Sequence, residues 1–456
     1  MSHFLNTKNV NKTVSSFFPR INKSHYLETS IEHTYNDVYF PINSWQSDRF
    51  IEFRLPKTVG TFIDLANLHL QYQLQVYKKI ASGGVWSGNT KTGSGDHYDL
   101  IQFTGQSCFK HLQIELNGVQ ITNEANYSLN SYIKLITQFP EQEINKIGKL
   151  YHVEKYDKIV KTHSDDSYFS SLSNDNDVAK RLKNIRDHGI FLRSPLMSDI
   201  CQIPSYLIDG IDVTVRLSLH ENSFIFITAQ QNPDVSHSDG KKYLINLSDI
   251  KLSVKKIKPS ENAYTALQKT LEPKGGIIPT LDYIYTSKVS RQFHIPSGVN
   301  EHIIDLPYNN NIPEKIFIAF QAYDNFNTRD WKENGLYLEH LNLSNVFITI
   351  NGSTMYNIKC DFETGDVAEL YNTCLLCLDK NHLLTFNHFK NGMTILGFPL
   401  TTYDPSADIR SPYYGILRIS LTFKSRMADS AICYMLGDIM SILSVNYNRE
   451  IVLNKI

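Results

Sequence analysis

Apolar and polar residues alternate with a period of two along most of this chain, the pattern of strands that bury one face. In residues 50–55, the apolar Ile51, Phe53 and Leu55 occupy every second position. The same spacing occurs in six further segments, residues 68–76, 111–116, 211–219, 247–254, 346–350 and 416–423. These runs have ordinary strand lengths, so the chain is predicted to be mainly β.

Helical spacing is confined to short segments. Residues 177–188 begin with Asp, carry apolar residues on one stripe and are followed by Gly189, which predicts an amphipathic helix and its stop. Residues 131–138 and 263–271 are predicted as shorter helices. A few short helices within a long series of strands indicate β-sandwiches with decorated loops, and they argue against a doubly wound α/β enzyme.

A weak internal repeat relates the two halves of the chain. The segment IEFRLP ends at Pro56 and HIIDLP ends at Pro307, an offset of 251. The strand HLQIEL runs into an Asn-Gly pair at Asn117 and NVFITI into another at Asn351, an offset of 234. Asn-Gly tolerates the positive φ of a tight hairpin turn. The repeat predicts two copies of one β-sandwich, joined near residues 258–279, where Pro and Gly cluster.

Composition limits the class of protein. The 456 residues are 41% hydrophobic, and 45 Lys and Arg balance 46 Asp and Glu, which excludes a polycationic nucleic-acid condenser and a long disordered chain. Six cysteines are too few for a disulfide scaffold and favour a reducing compartment. The first residues lack the apolar run of a signal peptide, and Asp438 interrupts the apolar residues 431–445. A protein that is neither secreted nor membrane-spanning is expected.

Candidate chemistry is sparse. Cys374 and Cys377 have metal-ligand spacing, but no second pair accompanies them and leucines flank them, so burial in a core is favoured. No phosphate-binding glycine loop and no nucleophile-elbow serine occur in the sequence. We therefore predict that the protein is not an enzyme, and we assign no catalytic, cofactor-binding or metal-ligating residue.

Two clusters of charged residues could either bind a ligand or form an ordinary solvent-exposed surface. An acidic cluster that superficially resembles a calcium loop comprises Asp361, Glu363, Asp366 and Glu369. A basic cluster that could contact nucleic acid comprises Lys251, Lys255, Lys256 and Lys258. The first lacks the ligand alternation of a calcium loop and the second lacks interleaved aromatic residues, so solvated surfaces are favoured for both.

Several segments in a fixed order carry a resemblance to a known family. They are IEFRLP, FIDLANLHLQYQLQV, SCFKHLQIELNG and IDVTVRLSLHENSFIF in the first half, and HIIDLP, IPEKIFIAF, LEHLNLSNVFITINGS and GILRISLTF in the second. Together they resemble the double jelly-roll major capsid proteins of polintons and adintoviruses, relatives of the adenovirus hexon. The resemblance covers roughly residues 45–449.

The resemblance implies an all-β fold of two tandem jelly-roll β-sandwiches with short helices in the loops. The expected divisions are an N-terminal arm (1–41), a first jelly roll (42–258), a connecting segment (259–299) and a second jelly roll (300–456). It also implies a major capsid protein whose trimers form pseudo-hexameric capsomers of an icosahedral double-stranded DNA virus or virus-like element.

The implied partners are copies of the same chain, vertex and minor capsid proteins and the packaged DNA, but no small-molecule substrate. The arm carries Lys8, Lys12, Arg20 and Lys23 and could reach the genome or a neighbouring capsomer, or be a disordered terminus. The loops 82–96 and 325–335 are expected at contacts between chains, with Trp86, Trp331 and Tyr337 as interface residues. The expected location is the virion, after an intracellular stage in cytoplasm or nucleus.

Two other functions fit a β-sandwich protein. A lectin-like binding protein would need a concave site with aromatic and acidic residues. A glycosidase would need two carboxylates at a defined separation, for which Asp361 and Glu363 are candidates.

Overall fold

The computed structural model describes residues 30–45, 49–82, 85–86, 88–92, 98–152, 188–228, 241–273, 275–276, 278–308, 311–323, 334–379, 382–400 and 414–455. The strands of the first half are β1 (Ile31–Tyr39), β2 (Phe50–Leu55), β3 (Phe62–Ser82), β4 (Val85–Trp86), β5 (Thr90–Lys91), β6 (Tyr98–Leu100), β7 (Phe109–Leu116), β8 (Val119–Glu124), β9 (Ile190–Pro195), β10 (Val213–Leu219), β11 (Phe226–Thr228) and β12 (Lys241–Pro259).

The strands of the second half are β13 (Thr280–Ile295), β14 (Glu301–Tyr308), β15 (Lys315–Ala322), β16 (Leu343–Ile350), β17 (Ser353–Lys359), β18 (Ile395–Pro399), β19 (Gly415–Phe423), β20 (Ala431–Asn446) and β21 (Ile451–Lys455). The helices are α1 (Thr104–Ser107), α2 (Tyr127–Gln138), α3 (Glu141–Tyr151), α4 (Asn222–Ile225), α5 (Glu261–Leu271), α6 (Ala368–Cys377) and α7 (Phe386–Lys390), and Asp199–Gln202 form a 3₁₀ turn.

The strands build two sandwiches of the same design. In the first, a sheet in the order β1-β12-β3-β9, extended by β4 and β5, faces a sheet in the order β2-β10-β7-β8. In the second, β13-β20-β15-β18, extended by β21, faces β14-β19-β16-β17. Neighbouring strands are antiparallel throughout these four sheets. Helix α5 connects the two sandwiches.

The registers of the two sandwiches match residue by residue. Val215 lies between Phe53 and Ile114 in the first, and Ile419 lies between Ile304 and Ile348 in the second; all six side chains are buried. The offset between equivalent residues is 251 from Phe53 to Ile304 and 234 from Ile114 to Ile348. These are the offsets of the sequence repeat, so the predicted duplication is confirmed.

Both predicted Asn-Gly hairpin turns are confirmed. Asn117 and Gly118 have φ values of 49° and 80°, and Asn351 and Gly352 have 51° and 82°. Two consecutive residues in the left-handed region make the tight turn that matches the twist of the flanking strands. The alternating segments of the sequence lie in β2, β3, β7, β10, β12, β16 and β19, and the short helices predicted near residues 131–138 and 263–271 lie in α2 and α5.

The structure differs from the expected divisions at two places. Ile31–Tyr39, expected within the arm, form edge strand β1, and Thr280–Ile295, expected within the connecting segment, form edge strand β13. Most side chains of β1 are exposed on both faces, so its sequence has no alternation to detect. We propose that the first sandwich begins at β1 and the second at β13. The helix predicted at 177–188 lies outside the described residues, apart from residue 188.

The loops of the first sandwich gather at two opposite ends. At one end, which we call the base, the Gly210 N–H donates to Thr58 O (2.8 Å) and the Asp212 N–H donates to Asn117 Oδ1 (2.9 Å). These bonds join the segment between β9 and β10 to the β2–β3 and β7–β8 connections. The link to the second sandwich through α5 leaves from the base as well.

The other end, which we call the crown, carries the longer connections. The Ile101 N–H donates to Ile225 O (2.8 Å), joining the β3–β7 connection to the β10–β12 connection. The Leu219 N–H donates to Arg49 O (3.1 Å), joining the end of β10 to the β1–β2 connection. Loops that are tied together in this way form a fixed surface on the sandwich scaffold.

Candidate assembly surfaces

The two sandwiches bury helix α2 between them, and all but one of its residues are buried. In the second sandwich, Phe320 and its strand partner Cys433 point inward, where the Phe320 ring lies 6.4 Å from the Phe423 ring of the facing sheet. The next residue, Tyr434, therefore points outward. Its hydroxyl donates to Asn130 Oδ1 of α2. The outer face of the β13-β20-β15-β18 sheet is thus in contact with the first sandwich.

A buried charge cluster lies at this contact. The Lys134 ammonium of α2 is fully buried, donates to Met197 O (2.5 Å) and lies 2.8 Å from Asp199 Oδ1. The other Asp199 oxygen, Oδ2, accepts a hydrogen bond from the Lys288 N–H of the second sandwich (2.6 Å). Burial alone would lower the pKa of Lys134, but Asp199 and Glu124 raise it. Lys134 is therefore charged, and its carboxylate partner also binds the second sandwich.

A second contact closes the base. The Arg449 guanidinium donates from Nη2 to Asp209 Oδ1 (2.8 Å) and from Nε to Asp209 O (2.8 Å). The remaining carboxylate oxygen of Asp209 accepts from the Gly60 N–H and the Tyr264 hydroxyl, both at 2.8 Å. Asn117 Nδ2 donates to Arg449 O (2.9 Å). The segment after β20 is therefore bound directly to two connections of the first sandwich, and Asp209 links it to the β2–β3 connection and to α5.

Helix α6 is the counterpart of α2, since each follows the hairpin that ends its sheet. Its inner side packs on β18 through Leu370, Cys374 and Cys377. Its outer side is exposed at Glu369, Asn372 and Leu376, and Leu376 is 74% exposed. Within the described part of the chain nothing covers this stripe, whereas the second sandwich covers α2.

Among the described residues, the outer face of the β1-β12-β3-β9 sheet is also uncovered. On β3, Gln71 and Gln73 face outward while their neighbours Tyr72 and Leu74 are buried. Gln73 pairs with Phe191 of β9, whose side chain is 67% exposed, and Gln71 pairs with Arg193, which is also exposed. The equivalent face of the second sandwich is covered by α2.

The outer faces of the other two sheets differ in chemistry. In the first sandwich, Arg216 binds Glu52 (Nε to Oε2, 2.8 Å) and Glu115 (Nη1 to Oε1, 3.2 Å). In the second, Ile303 occupies the position equivalent to Glu52 and Ser420 that of Arg216. Ile303 is about half exposed. A charged face in one copy has therefore become partly apolar in the other.

The basic cluster is neutralised locally. Each of its four lysines lies within ion-pair distance of a carboxylate: Lys251–Asp249 (3.5 Å), Lys255–Asp64 (3.8 Å), Lys256–Asp37 (2.8 Å) and Lys258–Glu32 (2.9 Å). Two of these carboxylates belong to β1, the strand that the sequence pattern did not reveal. A nucleic-acid contact at this cluster therefore has no support.

The acidic cluster is organised around one lysine. Lys424 Nζ lies 3.0 Å from Asp361 Oδ2 and 2.6 Å from Glu363 Oε2. The hydrogen bond from Lys424 lowers the pKa of Asp361, so this carboxyl is ionised near neutral pH. A glycosidase needs one carboxyl that stays protonated. Asp361 is therefore not the protonated carboxyl that such an enzyme needs.

The expected burial of Cys374 and Cys377 is confirmed. Both side chains pack against Gly397 of β18, and Cys374 Sγ donates to Ile395 O (3.0 Å). All six cysteines are buried and unpaired with one another. Among the described residues, no group of three or more His, Cys, Asp or Glu side chains could hold a metal ion, and no helix is long and apolar enough to cross a membrane.

The three predicted interface aromatics stay predictions. Tyr337 lies after the second of the two loops, is half-buried and packs against the core, and its N–H donates to Asn334 O (3.0 Å). The backbone at Trp86 belongs to β4, which pairs with the end of β3. Trp331 lies outside the described residues, as do most of the two loops in which the contacts were expected.

Sequence reasoning missed the residues that join the sandwiches. Lys134 is the single charged residue of helix α2, YSLNSYIKLITQ, and a lone charge in an apolar stripe is a detectable signal of a buried ion pair. Asp209 and Arg449 carry no such signal. They are 240 residues apart and sit in polar connections.

Comparison with solved structures gives several matches over nearly the whole chain. One is a chain of the Sputnik virophage, with a TM-score of 0.62, 12% identity, and coverage of 96% of this chain and 91% of that chain. The mavirus major capsid protein has a TM-score of 0.53 and 11% identity, over 99% of this chain and 93% of that chain. The Faustovirus major capsid protein has a TM-score of 0.55 and 10% identity, over 93% of this chain and 92% of that chain. The fold is a double jelly roll.

The double jelly roll explains the paired sheets, since each sandwich has the eight-stranded order of one jelly roll. At 10–12% identity these matches establish the fold alone. No protein-family model matches the sequence, and no curated protein is detectably similar to it.

Proposed function

We propose that this chain is a major capsid protein whose trimers form pseudo-hexameric capsomers of an icosahedral double-stranded DNA virus or virus-like element. The mavirus and Faustovirus proteins that share its fold are major capsid proteins. The proposal draws its main support from two open surfaces whose counterparts are joined within the chain.

The contact between the jelly rolls is head-to-tail. The outer face of the β13-β20-β15-β18 sheet covers α2, and this leaves the equivalent sheet face of the first jelly roll and the equivalent helix α6 of the second open. A second copy can repeat the internal contact by placing its first jelly roll against α6. Head-to-tail contacts produce a closed ring when the rotation closes, and six jelly rolls from three chains would complete it.

The two open surfaces are chemically compatible. The helix stripe offers Glu369 and Leu376, and the sheet face offers Arg193 and Phe191. An ion pair beside an apolar contact is an ordinary combination at protein interfaces. An obligate trimer should bury roughly 2,000 Å² or more at each contact, so these four residues would form only its centre.

Further partners follow from the capsid proposal. They are neighbouring capsomers, a vertex protein, minor capsid proteins and the packaged DNA, the last through the basic residues of the N-terminal arm, which lies outside the described residues. The protein would reside in the virion after synthesis in the cytoplasm or nucleus. No small-molecule substrate and no catalytic activity belong to this proposal.

The mass of the native protein in solution tests the proposal. A trimer of the 52.4 kDa chain has a mass of about 157 kDa by multi-angle light scattering. This mass should persist on dilution to micromolar concentration. A protein that remains a 52.4 kDa monomer at high concentration would contradict the proposal.

A further inference from the structure

The crown of the first jelly roll contains an open cleft of about 530 Å³. Its walls come from the β1–β2, β3–β7 and β10–β12 connections and from the upper parts of β3 and β12. The polar and aromatic residues that line it are Trp45, Arg49, Tyr77, Asn89, His220, Asn222 and Asn246. The volume is within the range of small-ligand sites in proteins.

Among the described residues, five of the polar side chains that line the cleft have no partner, whereas Tyr77 and His220 are hydrogen-bonded to Gln75 (3.1 Å) and Ser128 (2.8 Å). In the described part of the chain, the Arg49 guanidinium, the Trp45 indole N–H and the amides of Asn89, Asn222 and Asn246 make no hydrogen bond or ion pair. An amide has both donors and an acceptor, and a guanidinium has five donors. A ligand with many hydroxyl groups would satisfy all of them at once.

The backbone beside the cleft is fixed in an uncommon conformation. Arg49 has a φ of 56°, which non-glycine residues rarely adopt, and its N–H donates to Trp45 O (2.9 Å). The side chain of Asn43 binds both Phe50 O (2.8 Å) and the Glu52 N–H (2.9 Å), which anchors the same connection to β2. Uncommon backbone conformations that are fixed by surrounding contacts are frequent at ligand sites.

We propose that this cleft binds a short acidic oligosaccharide. The C–H face of a sugar ring packs on the flat rings of Trp45 and Tyr77, and the asparagine amides match neighbouring hydroxyl groups. The carboxylate of a sialic or uronic acid pairs with Arg49 in the bidentate geometry that guanidinium groups favour.

The lining also favours this ligand over other anions. Arg49 is the single Lys or Arg among the residues that line the cleft, which suits one carboxylate and not a polyphosphate or a nucleic-acid backbone. The inference does not rest on assembly into a capsid, because the cleft lies within one jelly roll.

Saturation-transfer NMR on the intact protein tests the proposal with a panel of sialylated and uronic-acid-containing oligosaccharides, each beside its neutral parent. We expect saturation transfer to acidic members and not to their neutral parents. Calorimetry with an acidic ligand found in this way should show about tenfold weaker binding after its carboxylate is reduced to an alcohol. Acidic sugars that bind no better than their neutral parents would overturn the proposal.

Two variants locate the site. Arg49→Gln should weaken binding about tenfold, because it removes a charge-assisted hydrogen bond. Arg426→Gln is the control, since it alters an exposed arginine in the β19–β20 connection of the second jelly roll, away from the cleft, and should leave binding unchanged. Both variants should keep the native mass of the parent protein. Unchanged binding by Arg49→Gln, or an equal loss in both variants, would overturn the assignment to this cleft.

Discussion

The guanidinium of Arg449 lies 2.8 Å from the carboxylate of Asp209, and this ion pair joins the last segment of the second jelly roll to the base of the first. Asp209 is almost fully buried and its other oxygen is occupied by two further donors. The two jelly rolls are therefore joined by an ion pair whose carboxylate oxygens are both hydrogen-bonded, in addition to the α2 contact.

Replacement of Asp209 by Ala should lower the free energy of unfolding by about 3–5 kcal/mol, because it removes the partner of the Arg449 charge and of two further donors, Gly60 N–H and the Tyr264 hydroxyl. Urea denaturation at fixed protein concentration measures this loss. Asp305→Ala is the control, since it breaks the exposed Arg418–Asp305 pair and should change the free energy of unfolding far less. Equal losses of unfolding free energy in both variants would show that the Arg449–Asp209 ion pair is no stronger than a surface ion pair.

Stability in acid should depend on Asp438. Burial alone would raise the pKa of Asp438, but Lys288 (2.5 Å) and Lys315 (3.5 Å) lower it below its ordinary value of 3.8. The unfolded chain therefore takes up this proton first, so the stabilisation is present above about pH 4 and is lost as the pH falls through the lower folded-state pKa.

Urea midpoints measured from pH 7 to pH 2 test this dependence. Asp438→Asn should be less stable than the parent at pH 7 and should lose less stability below about pH 4. If parent and variant lost stability in parallel as the pH falls, Asp438 would not be the group responsible.

The thiols should be inert in the native protein. All six cysteines are buried, and burial raises the pKa of Cys108, Cys360 and Cys377 to about 12. Because the thiolate is the reactive form, Ellman's reagent at pH 7.5 should detect no thiol until denaturant is added and then all six. Rapid reaction of any cysteine in the native protein would contradict the burial.

The proposed contact between chains should be separable from folding. Leu376→Asp on α6 and Phe191→Asp on β9 alter exposed side chains, so each should dissociate the trimer while leaving the free energy of unfolding of the isolated chain within about 0.5 kcal/mol of the parent value. Ile303→Asp, which alters a half-exposed apolar residue on a different sheet face, is the control and should remain trimeric. Trimers that survive both interface changes would exclude the proposed contact.

The sequence predicted the strands whose two faces differ. Phe53 and Ile348 lie in strands with one buried and one solvated face, so their alternation is visible without any partner. The Asn-Gly turns were predictable because their conformation is local. Together these local features are sufficient to predict the duplication and its two offsets from the sequence.

Other features depend on contacts that are remote in sequence. Strand β1 is exposed on both faces and forms because β12 offers it a hydrogen-bonding edge. The cleft at the crown assembles from Trp45, Asn89 and Asn222, which come from three different connections. No local sequence pattern reflects contacts between segments that are distant in sequence, so neither the edge strand nor the cleft is predictable from the sequence.

Electron microscopy of the purified protein tests the central claim most directly. Three head-to-tail chains should give class averages with three-fold symmetry and six similar lobes around a centre, one lobe for each jelly roll. Two-lobed particles, each the size of a single chain, would contradict the account.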